Sequence, residues 1–312
     1  MRTILFLNPV FKQMVWGGNQ LGDKFGYAIP GDDTGECWGV SAHPNGKSIV
    51  REGLFKDKTL SRLWRENPEL FGNIDLQFFP LLTKIIDAKG DCSVQVHPGD
   101  EYAREHENGS LGKTECWYII DCEEDAAIVL GHNARSKEEL TSMIEQKKWN
   151  DLIREVIVKP GDFIQVDSGM VHAIRGGMMV LETQQNSDIT YRVYDYGRKI
   201  DGKERELHIK QSIDVITVPA PSVEESVKST VHMPKNRMNE LISCHSYVVW
   251  KLDITEKLTF EQSHPFMIMS VIEGEGEIDG HKIKKGDHFI LPDGYGHVDL
   301  QGDMVIIASS VK

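Results

Sequence analysis

The sequence has few features of a disulfide-bonded, membrane-spanning or metal-thiolate protein. Its five cysteines are odd in number and include no Cys-x-x-Cys pair, which argues against a disulfide scaffold and against a thiolate zinc site. Only four consecutive apolar residues precede Asn8, too few for a signal peptide, and no later run approaches the roughly 18 residues that span a bilayer. We therefore expect a cytoplasmic protein with reduced, buried cysteines.

Positive charge is also scarce, because the formal net charge of the 312 residues is −13 at pH 7. This balance argues against a general affinity for nucleic acid or for anionic membranes. It does not exclude an anionic small molecule, since a few local cations can outweigh a distant field. With 40% hydrophobic and 27% charged residues, the composition is typical of a soluble globular enzyme. We expect a small-molecule ligand and a monomer or weak homodimer.

Short apolar or alternating runs separated by turn signals make up most of the chain, which favours an all-β sandwich or barrel over alternating βαβ units. The predicted strands include residues 93–97, 117–120, 127–130, 163–166, 178–181, 248–250, 266–272 and 304–308. Two helical insertions are predicted, at about residues 58–70 and 136–153. In the second, Ser136 followed by Glu139 is a capping-box pattern.

An internal repeat indicates two related β-domains. The segments Gly161–His172 and Gly286–His297 each run from a Gly-Asp pair, through a strand and a second glycine, to a histidine at the same offset. The unit predicts a turn, a strand, a second turn and an inward-facing histidine. It resembles the second motif of the cupin superfamily, whose members are small jelly-roll barrels that hold a metal. We predict a mainly β protein with two cupin-type jelly-roll barrels: a catalytic domain over 1–225 and a degenerate domain over 226–312.

Four residues have the chemistry of a metal site. Gln95 and His97 lie two apart on a predicted strand, so both side chains leave the same face. Glu115 begins another strand, and His172 ends the first copy of the repeat. Two imidazoles, a carboxylate and an amide oxygen are a ligand set that zinc accepts. Cobalt, manganese or iron also bind such sets, so the residues alone leave the metal open.

Several longer motifs resemble the type I mannose-6-phosphate isomerases and occur in the same order as in that family. They are Asn8–Gly18, Glu36-Cys-Trp38, Gln95-Val-His97-Pro98, Lys113-Thr-Glu-Cys-Trp-Tyr118, Val171-His-Ala173 and Gln184–Asp195. The resemblance extends from residue 8 to about residue 200, and the chain length suits the short bacterial branch of the family.

The resemblance implies an activity and a set of site residues. The activity is the interconversion of mannose 6-phosphate and fructose 6-phosphate through a metal-stabilised enediol, with one Zn²⁺ per chain. The implied zinc ligands are Gln95, His97, Glu115 and His172. The implied substrate-binding residues are Lys84, Ser93, Lys113, Asp188 and Arg192, of which Lys113 and Arg192 are the predicted catalytic residues. The proton-transferring base stays open among Asp188, Glu115, Lys113 and a metal-bound water.

Three other functions fit the sequence less well or stay open. A cupin dioxygenase is disfavoured because Gln95 replaces a histidine of a common cupin motif and Glu115 lies eighteen residues after His97; the isomerase family shares both features. A non-catalytic metal-binding or sugar-binding cupin is expected to lose ligands or cations, and this chain keeps them. An isomerase of a different sugar phosphate stays open, because a few polar contacts decide which hydroxyl orientation is accepted.

Overall fold

The computed structural model describes residues 3–312, most of which lie in strands or their connections. The strands are β1 Leu5–Asn8, β2 Val10–Gly18, β3 Thr34–Val40, β4 Ile49–Val50, β5 Leu81–Ala88, β6 Val94–Val96, β7 Glu115–Cys122, β8 Ala127–His132, β9 Ile153–Ile157, β10 Asp162–Val166, β11 His172–Ala173, β12 Met178–Gln185, β13 Tyr191–Tyr194, β14 Lys199–Ile200, β15 Lys203–Glu204, β16 Val227–Ser229, β17 Met238–Ser243, β18 Val248–Ile254, β19 Lys257–Gln262, β20 Phe266–Ile278, β21 His281–Lys284, β22 His288–Pro292 and β23 Gly296–Ser310. The α-helices are α1 Gln20–Phe25, α2 Leu60–Glu66, α3 Asp100–His106, α4 Lys137–Glu145, α5 Trp149–Leu152, α6 Ile209–Val215 and α7 Val223–Ser226, and Pro68–Phe71 is a 3₁₀ turn.

The contacts divide the chain into two compact units. Unit 1 contains residues 1–14, 19–85 and 231–312, and unit 2 contains residues 15–18 and 86–230. This grouping places residues 19–85 with the C-terminal segment, whereas we predicted one domain over 1–225. Because these units are defined by packing and not by function, the predicted domain bounds stay a prediction.

Unit 1 is built on one antiparallel sheet with the strand order β17-β18-β23-β20-β22-β1-β4, to which β19 and β21 add at β23 and β20. Successive side chains of a strand point to opposite faces of the sheet, and the side chains on one face of this sheet are apolar. Met267, Met269, Phe289, Leu291 and Ile306 belong to the resulting core. Burial of these side chains is the main source of the stability of this unit.

Unit 2 has two groups of strands. One has the order β13-β6-β11-β8-β9, and in the other β16, β10, β7 and β12 are neighbours. Leu140 and Ile144 of α4 and Leu152 of α5 pack with the apolar side chains of the five-stranded sheet. The mainly β prediction and the jelly-roll arrangement are confirmed, although the sheets are open and not closed barrels.

The predicted helices are present but shorter than predicted. Ser136 Oγ accepts a hydrogen bond from the Glu139 N–H at 3.2 Å, which confirms the N-cap. Glu139 in turn accepts from the N–H of Arg135, one residue earlier than in a capping box. The predicted helix over 136–153 is two helices, because Lys147 between them has φ 54°, a left-handed conformation that ends a helix.

Both copies of the internal repeat form the predicted turn and strand. Gly161 and Gly286 have φ values of 88° and 92°, which only glycine adopts without strain. The following carboxylates, Asp162 and Asp287, accept hydrogen bonds from the N–H groups of Lys159 and Lys284 at 3.0 and 2.9 Å. The repeat is therefore a shared turn motif at the start of β10 and β22.

The predicted inward-facing histidine is correct in the first copy and wrong in the second. His172 is fully buried, whereas His297 is exposed. Val298 and Leu300, next to His297 in β23, point into the unit 1 core, so the alternation of the strand turns His297 to the outer face. His172 likewise points away from the apolar cluster around Val171 and Ala173, but in unit 2 that face is covered.

A different histidine is buried in unit 1. His288 is 1% exposed, with its Nδ1 2.8 Å from Ser270 Oγ and its Nε2 3.1 Å from the Tyr27 hydroxyl. Because that hydroxyl donates to the Gly286 carbonyl at 2.7 Å, it accepts from His288 Nε2–H, and Nδ1 accepts from Ser270. A Cβ on Gly39 would lie 2.5 Å from the ring, so no side chain fits there. The ring is therefore held as a neutral imidazole.

This histidine gives a prediction for stability at acid pH. Burial lowers the pKa of His288 to about 4, against the opposing influence of Asp287. Between about pH 6.5 and 4 the unfolded chain then binds a proton that the folded chain does not, so the free energy of unfolding falls as the pH falls. We expect His288 to account for a loss of about 3 kcal/mol across this window, measured by urea unfolding at pH 7 and 4.5.

His288→Gln is the matched control, because its amide keeps a donor and an acceptor but does not titrate. Its free energy of unfolding is expected to change less with pH than that of the wild type. Equal pH dependence in the two proteins would show that His288 does not set the acid limit.

No helix within residues 3–312 combines the length and the apolar character needed to span a bilayer.

Candidate functional site

Three adjacent strands of the five-stranded sheet in unit 2 present predicted site residues on one face. Val94 and Val96 of β6 point into the apolar cluster that includes α4 and α5. The alternation of the strand therefore turns Gln95 and His97 to the opposite face. The two side chains therefore share a face, as their spacing predicts, and their role as metal ligands stays a prediction.

His172 and Arg192 join this face through strand register. His172 lies opposite Gln95 on β11, and Arg192 lies opposite Gln95 on β13. Directly paired residues share a face of a sheet, so His172, Gln95 and Arg192 form a row across three strands. The apolar neighbours of His172 and Arg192, among them Ala173 and Val193, lie in the cluster on the other face.

The carboxylate comes from the second group of strands. Glu115 begins β7, and Trp117 follows two residues later on the same face. The centroids of the Trp117 and His172 rings are 5.6 Å apart, and the angle between the ring planes is 70°. Glu182 of β12 is paired with Trp117 and accepts a hydrogen bond from its indole N–H at 3.1 Å. The site therefore lies between two layers of unit 2.

The ligand atoms converge. His97 Nε2 and His172 Nε2 are 3.1 Å apart, and each lies 3.4 Å from a Glu115 carboxylate oxygen. Gln95 Nε2 lies 3.3 Å from His172 Nε2; a metal would bind the amide oxygen instead, which needs the side-chain amide turned by 180°. Donors about 2.0–2.1 Å from a tetrahedral zinc lie roughly 3.3 Å from one another. The residues present therefore fit a zinc-sized ion.

Backbone carbonyls set the tautomers of both histidines. His97 Nδ1 lies 2.8 Å from the Ile189 oxygen, and His172 Nδ1 lies 2.8 Å from the Met170 oxygen. A carbonyl only accepts, so each Nδ1 carries the proton and each Nε2 keeps its lone pair. Such outer hydrogen bonds orient histidine ligands in metal sites.

The charges in the site are buried and compensate one another. Lys113 Nζ lies 2.8 Å from Glu115 Oε2, 3.0 Å from His97 Nε2 and 3.9 Å from Glu182 Oε1. Burial acts to raise the pKa of Glu115, but Lys113, His97 and His172 together hold it well below its usual range. Burial, then Lys113, lowers the pKa of His97 to about 3, so its imidazole is neutral and able to bind a metal.

An observation on Glu115 also points to a cation. Both carboxylate oxygens are buried; Oε2 is paired with the Lys113 ammonium at 2.8 Å, whereas Oε1 accepts no hydrogen bond from a residue that the structure describes. A buried polar atom without a hydrogen bond commonly marks an ion or water site. Within residues 3–312, His97, Glu115 and His172 are the one group of three acidic, histidine or cysteine side chains close enough to share a metal.

The remaining predicted residues are placed differently. Ser93 is buried in unit 2, and Asp188 is exposed but directly precedes Ile189, whose carbonyl holds His97. Lys84 belongs to unit 1, where it is buried and lies 3.5 Å from Glu36 Oε1. Their contacts with a substrate stay a prediction.

Two charged residues near the site were not predicted from the sequence. Glu182 is a buried carboxylate in the apolar strand β12, and a lone charge in such a run is a signal that could have found it. Arg198 has its Nη1 buried without a hydrogen-bond partner among the described residues, and it lies near Arg192, whose pKa is lowered by burial and by neighbouring arginines. Spacing alone gave no signal for Arg198.

Comparison with known proteins identifies the family. A family model described as "Phosphomannose isomerase type I, catalytic domain" matches residues 4–120, and one described as "Mannose-6-phosphate isomerase, cupin domain" matches residues 238–311. The mannose-6-phosphate isomerase ManA of Bacillus subtilis (strain 168) is 54% identical over 98% of this chain and 98% of its own length. This chain belongs to the type I mannose-6-phosphate isomerases.

Solved structures agree with this assignment. The crystal structure of the mannose 6-phosphate isomerase from Bacillus subtilis matches with a TM-score of 0.92 and 46% identity, over 99% of this chain and 100% of that one. A second structure, described as a mannose 6-phosphate isomerase bound with zinc and yttrium, matches over 99% of each chain with a TM-score of 0.79 at 16% identity and so shows the shared fold. The predicted type I mannose-6-phosphate isomerase family, fold class and isomerase class are confirmed.

Proposed function

We propose that this isomerase interconverts mannose 6-phosphate and fructose 6-phosphate through an enediol intermediate in the site between the two layers of unit 2. The observation that carries the proposal is the convergence of His97, His172, Glu115 and Gln95 on one point, with Lys113 beside it. Moving a proton between C2 and C1 needs an electrophile at the substrate oxygens, a proton-transferring group and a grip on the phosphate.

We propose one Zn²⁺ per chain, held by Gln95, His97, Glu115 and His172. The separations of 3.1 to 3.4 Å among the His97, His172 and Glu115 donor atoms, the buried Oε1 of Glu115 and the exclusively nitrogen and oxygen donor set support zinc. The relative described as bound with zinc has the same fold. When bound, such an ion acts as a Lewis acid that polarises a carbonyl and stabilises negative charge on oxygen.

The side chains around this centre would hold the substrate. Lys113 is 4% exposed and brings an ammonium to the cluster, where it can donate to a substrate oxygen that gains negative charge. Arg192 would either bind the phosphate or stabilise the enediolate. A guanidinium binds phosphate through two parallel hydrogen bonds, and Arg192 Nε has no hydrogen-bond partner among the described residues.

The phosphate would be bound with the help of Lys84 and Ser93, as the family resemblance implies. The unbonded Nη1 of Arg198 supplies a further donor for an anion. Holding the remote phosphate fixes C1 and C2 relative to the proton-transferring group, which lowers the entropic part of the barrier. The identity of that group stays open among Asp188, Glu115, Lys113 and a metal-bound water.

We also propose a cytoplasmic location and sugar phosphates as the partners, with no nucleic acid or membrane. The net charge of −13 supports the absence of polyanion binding, and five free cysteines fit a reducing compartment. A monomer or weak homodimer stays the predicted oligomeric state.

Metal removal tests the proposal directly. The conversion of mannose 6-phosphate to fructose 6-phosphate would be measured on the protein as purified, after chelation and dialysis, and again with Zn²⁺ added. We expect activity to disappear with the chelator and to return with zinc, because the metal supplies several kcal/mol of transition-state stabilisation.

Two other outcomes would change the proposal. Activity that survives complete metal removal would contradict the metal-dependent mechanism. A metal-replete protein that is inactive on mannose 6-phosphate but active on another aldose phosphate would identify an isomerase of different specificity, and inactivity on all of them would favour a binding role.

A further inference from the structure

The segment between the two ligand-bearing strands β6 and β7 is held by a pair of polar side chains outside the metal set. Asp100 Oδ1 accepts hydrogen bonds from the Gly112 N–H at 2.8 Å and from Gln185 Nε2 at 2.9 Å. Gln185 Oε1 in turn accepts from the Thr114 N–H at 2.9 Å. We call this pair the Asp100–Gln185 clamp.

The clamp holds the backbone on both sides of Lys113. Its two outer bonds end at Gly112 and Thr114, the residues that flank this lysine. The Lys113 N–H itself donates to the Pro98 carbonyl at 3.0 Å, directly after the ligand His97. Three consecutive N–H groups therefore have fixed partners, which is unusual for a connection between strands, where backbone groups more often face water.

Close packing strengthens this arrangement. A Cβ on Gly112 would lie 2.5 Å from the backbone of Gly99 and Asp100, so only glycine allows the two parts of the segment to approach. Gln185 also donates its own N–H to the Thr114 carbonyl at 3.1 Å, which ties the segment to the end of β12. The backbone of Lys113 is thus fixed to a rigid strand.

We propose that Asp100 and Gln185 are positioning residues that set Lys113 beside Glu115 and His97. The inference rests on the proposed role of Lys113 in the reaction. A lysine has four rotatable side-chain bonds, so a fixed backbone is needed to keep its ammonium 2.8 Å from Glu115. A displacement of about 1 Å in a catalytic group can cost about 100-fold in rate.

The test compares Asp100→Ala with Asp100→Asn in the zinc-loaded enzyme. Asparagine keeps an Oδ1 acceptor for both hydrogen bonds, and alanine removes it. We expect Asp100→Ala to lower kcat about 10- to 100-fold with a smaller change in KM, and Asp100→Asn to stay within about threefold of the wild type. Zinc content is expected to be unchanged in both variants, because neither removes a metal ligand.

Asp214→Ala is the matched control. Asp214 Oδ2 accepts a hydrogen bond from the Tyr102 hydroxyl at 3.3 Å, so it also ties down α3 but does not reach residues 112–114. We expect its kcat to match the wild type. If Asp100→Ala does not melt cooperatively, Gln185→Glu replaces it, since it keeps the acceptor for Thr114 and loses the donor to Asp100.

A double-mutant cycle separates this inference from the proposed function. If Asp100 acts through Lys113, Asp100→Ala lowers kcat/KM in the wild type but not in a Lys113→Ala background. A Lys113→Ala variant with normal kcat/KM would remove the proposed role of Lys113 and the inference with it. A strongly impaired Lys113→Ala beside a normal Asp100→Ala, or equal losses in both backgrounds, would overturn the positioning role alone.

Discussion

His172→Ala is expected to lower zinc affinity by more than about 100-fold and kcat/KM by at least about 1000-fold. Outer hydrogen-bond partners of metal ligands cost about 10- to 100-fold when removed, and a direct ligand should cost more. A loss of about 4 kcal/mol in transition-state stabilisation corresponds to about 1000-fold in rate. Zinc content after dialysis and kcat/KM for mannose 6-phosphate would be measured on the same preparation.

His132→Ala is the matched control for this substitution. His132 is also a buried histidine of unit 2, at 4% exposure, and its Nε2 lies 2.9 Å from the Thr217 carbonyl, outside the metal cluster. It is expected to lose stability but to keep zinc and kcat/KM. A His172→Ala protein that bound zinc like the wild type would show that the metal is held elsewhere.

The part of the site that could be predicted from sequence depends on local geometry. Gln95 and His97 are two residues apart, and strand alternation alone places them on one face. His172 is far from them along the chain, and its position depends on the pairing of β11 with β6. The periodicity of the sequence does not predict that pairing. His172 is predicted as a site residue from the order of the family motifs.

The residues that were missed or misplaced depend on register and on what covers a face. Glu182 reaches Trp117 only because β12 pairs with β7 in a register that shifts between Met179 and Val180, and a single sequence does not fix such a shift. His297 has the same local pattern as His172 but lies on an uncovered face of β23. Local turn chemistry therefore predicts the backbone of the repeat, and tertiary packing decides which histidine is buried.

The position of Arg192 also depends on strand pairing and not on local sequence. Its predicted role can be tested, because its removal is expected to have a large effect on catalysis. It shares the ligand face by pairing with Gln95, its Nη1 donates to the Glu206 carbonyl at 2.8 Å, and its Nε has no partner among the described residues. Arg192→Ala is expected to lower kcat/KM about 100- to 1000-fold, the range for losing a donor to a developing oxyanion. Arg192→Lys should recover part of this loss, because it keeps the charge but not the planar fork.

Separate measurement of kcat and KM in Arg192→Ala assigns the role of Arg192. A loss mainly in KM, together with weaker inhibition by inorganic phosphate, would place its guanidinium on the substrate phosphate; a loss mainly in kcat, with inhibition by phosphate unchanged, would place it on the enediolate.

Arg154→Ala is the matched control, since Arg154 is also half-buried in unit 2 and donates to two carbonyls, of Leu130 and Pro221, at 2.7 Å. We expect that variant to melt earlier with normal kcat/KM. Near-normal kcat/KM in Arg192→Ala would contradict both roles, and the unbonded Nη1 of Arg198 would then be the next anion-binding donor to test.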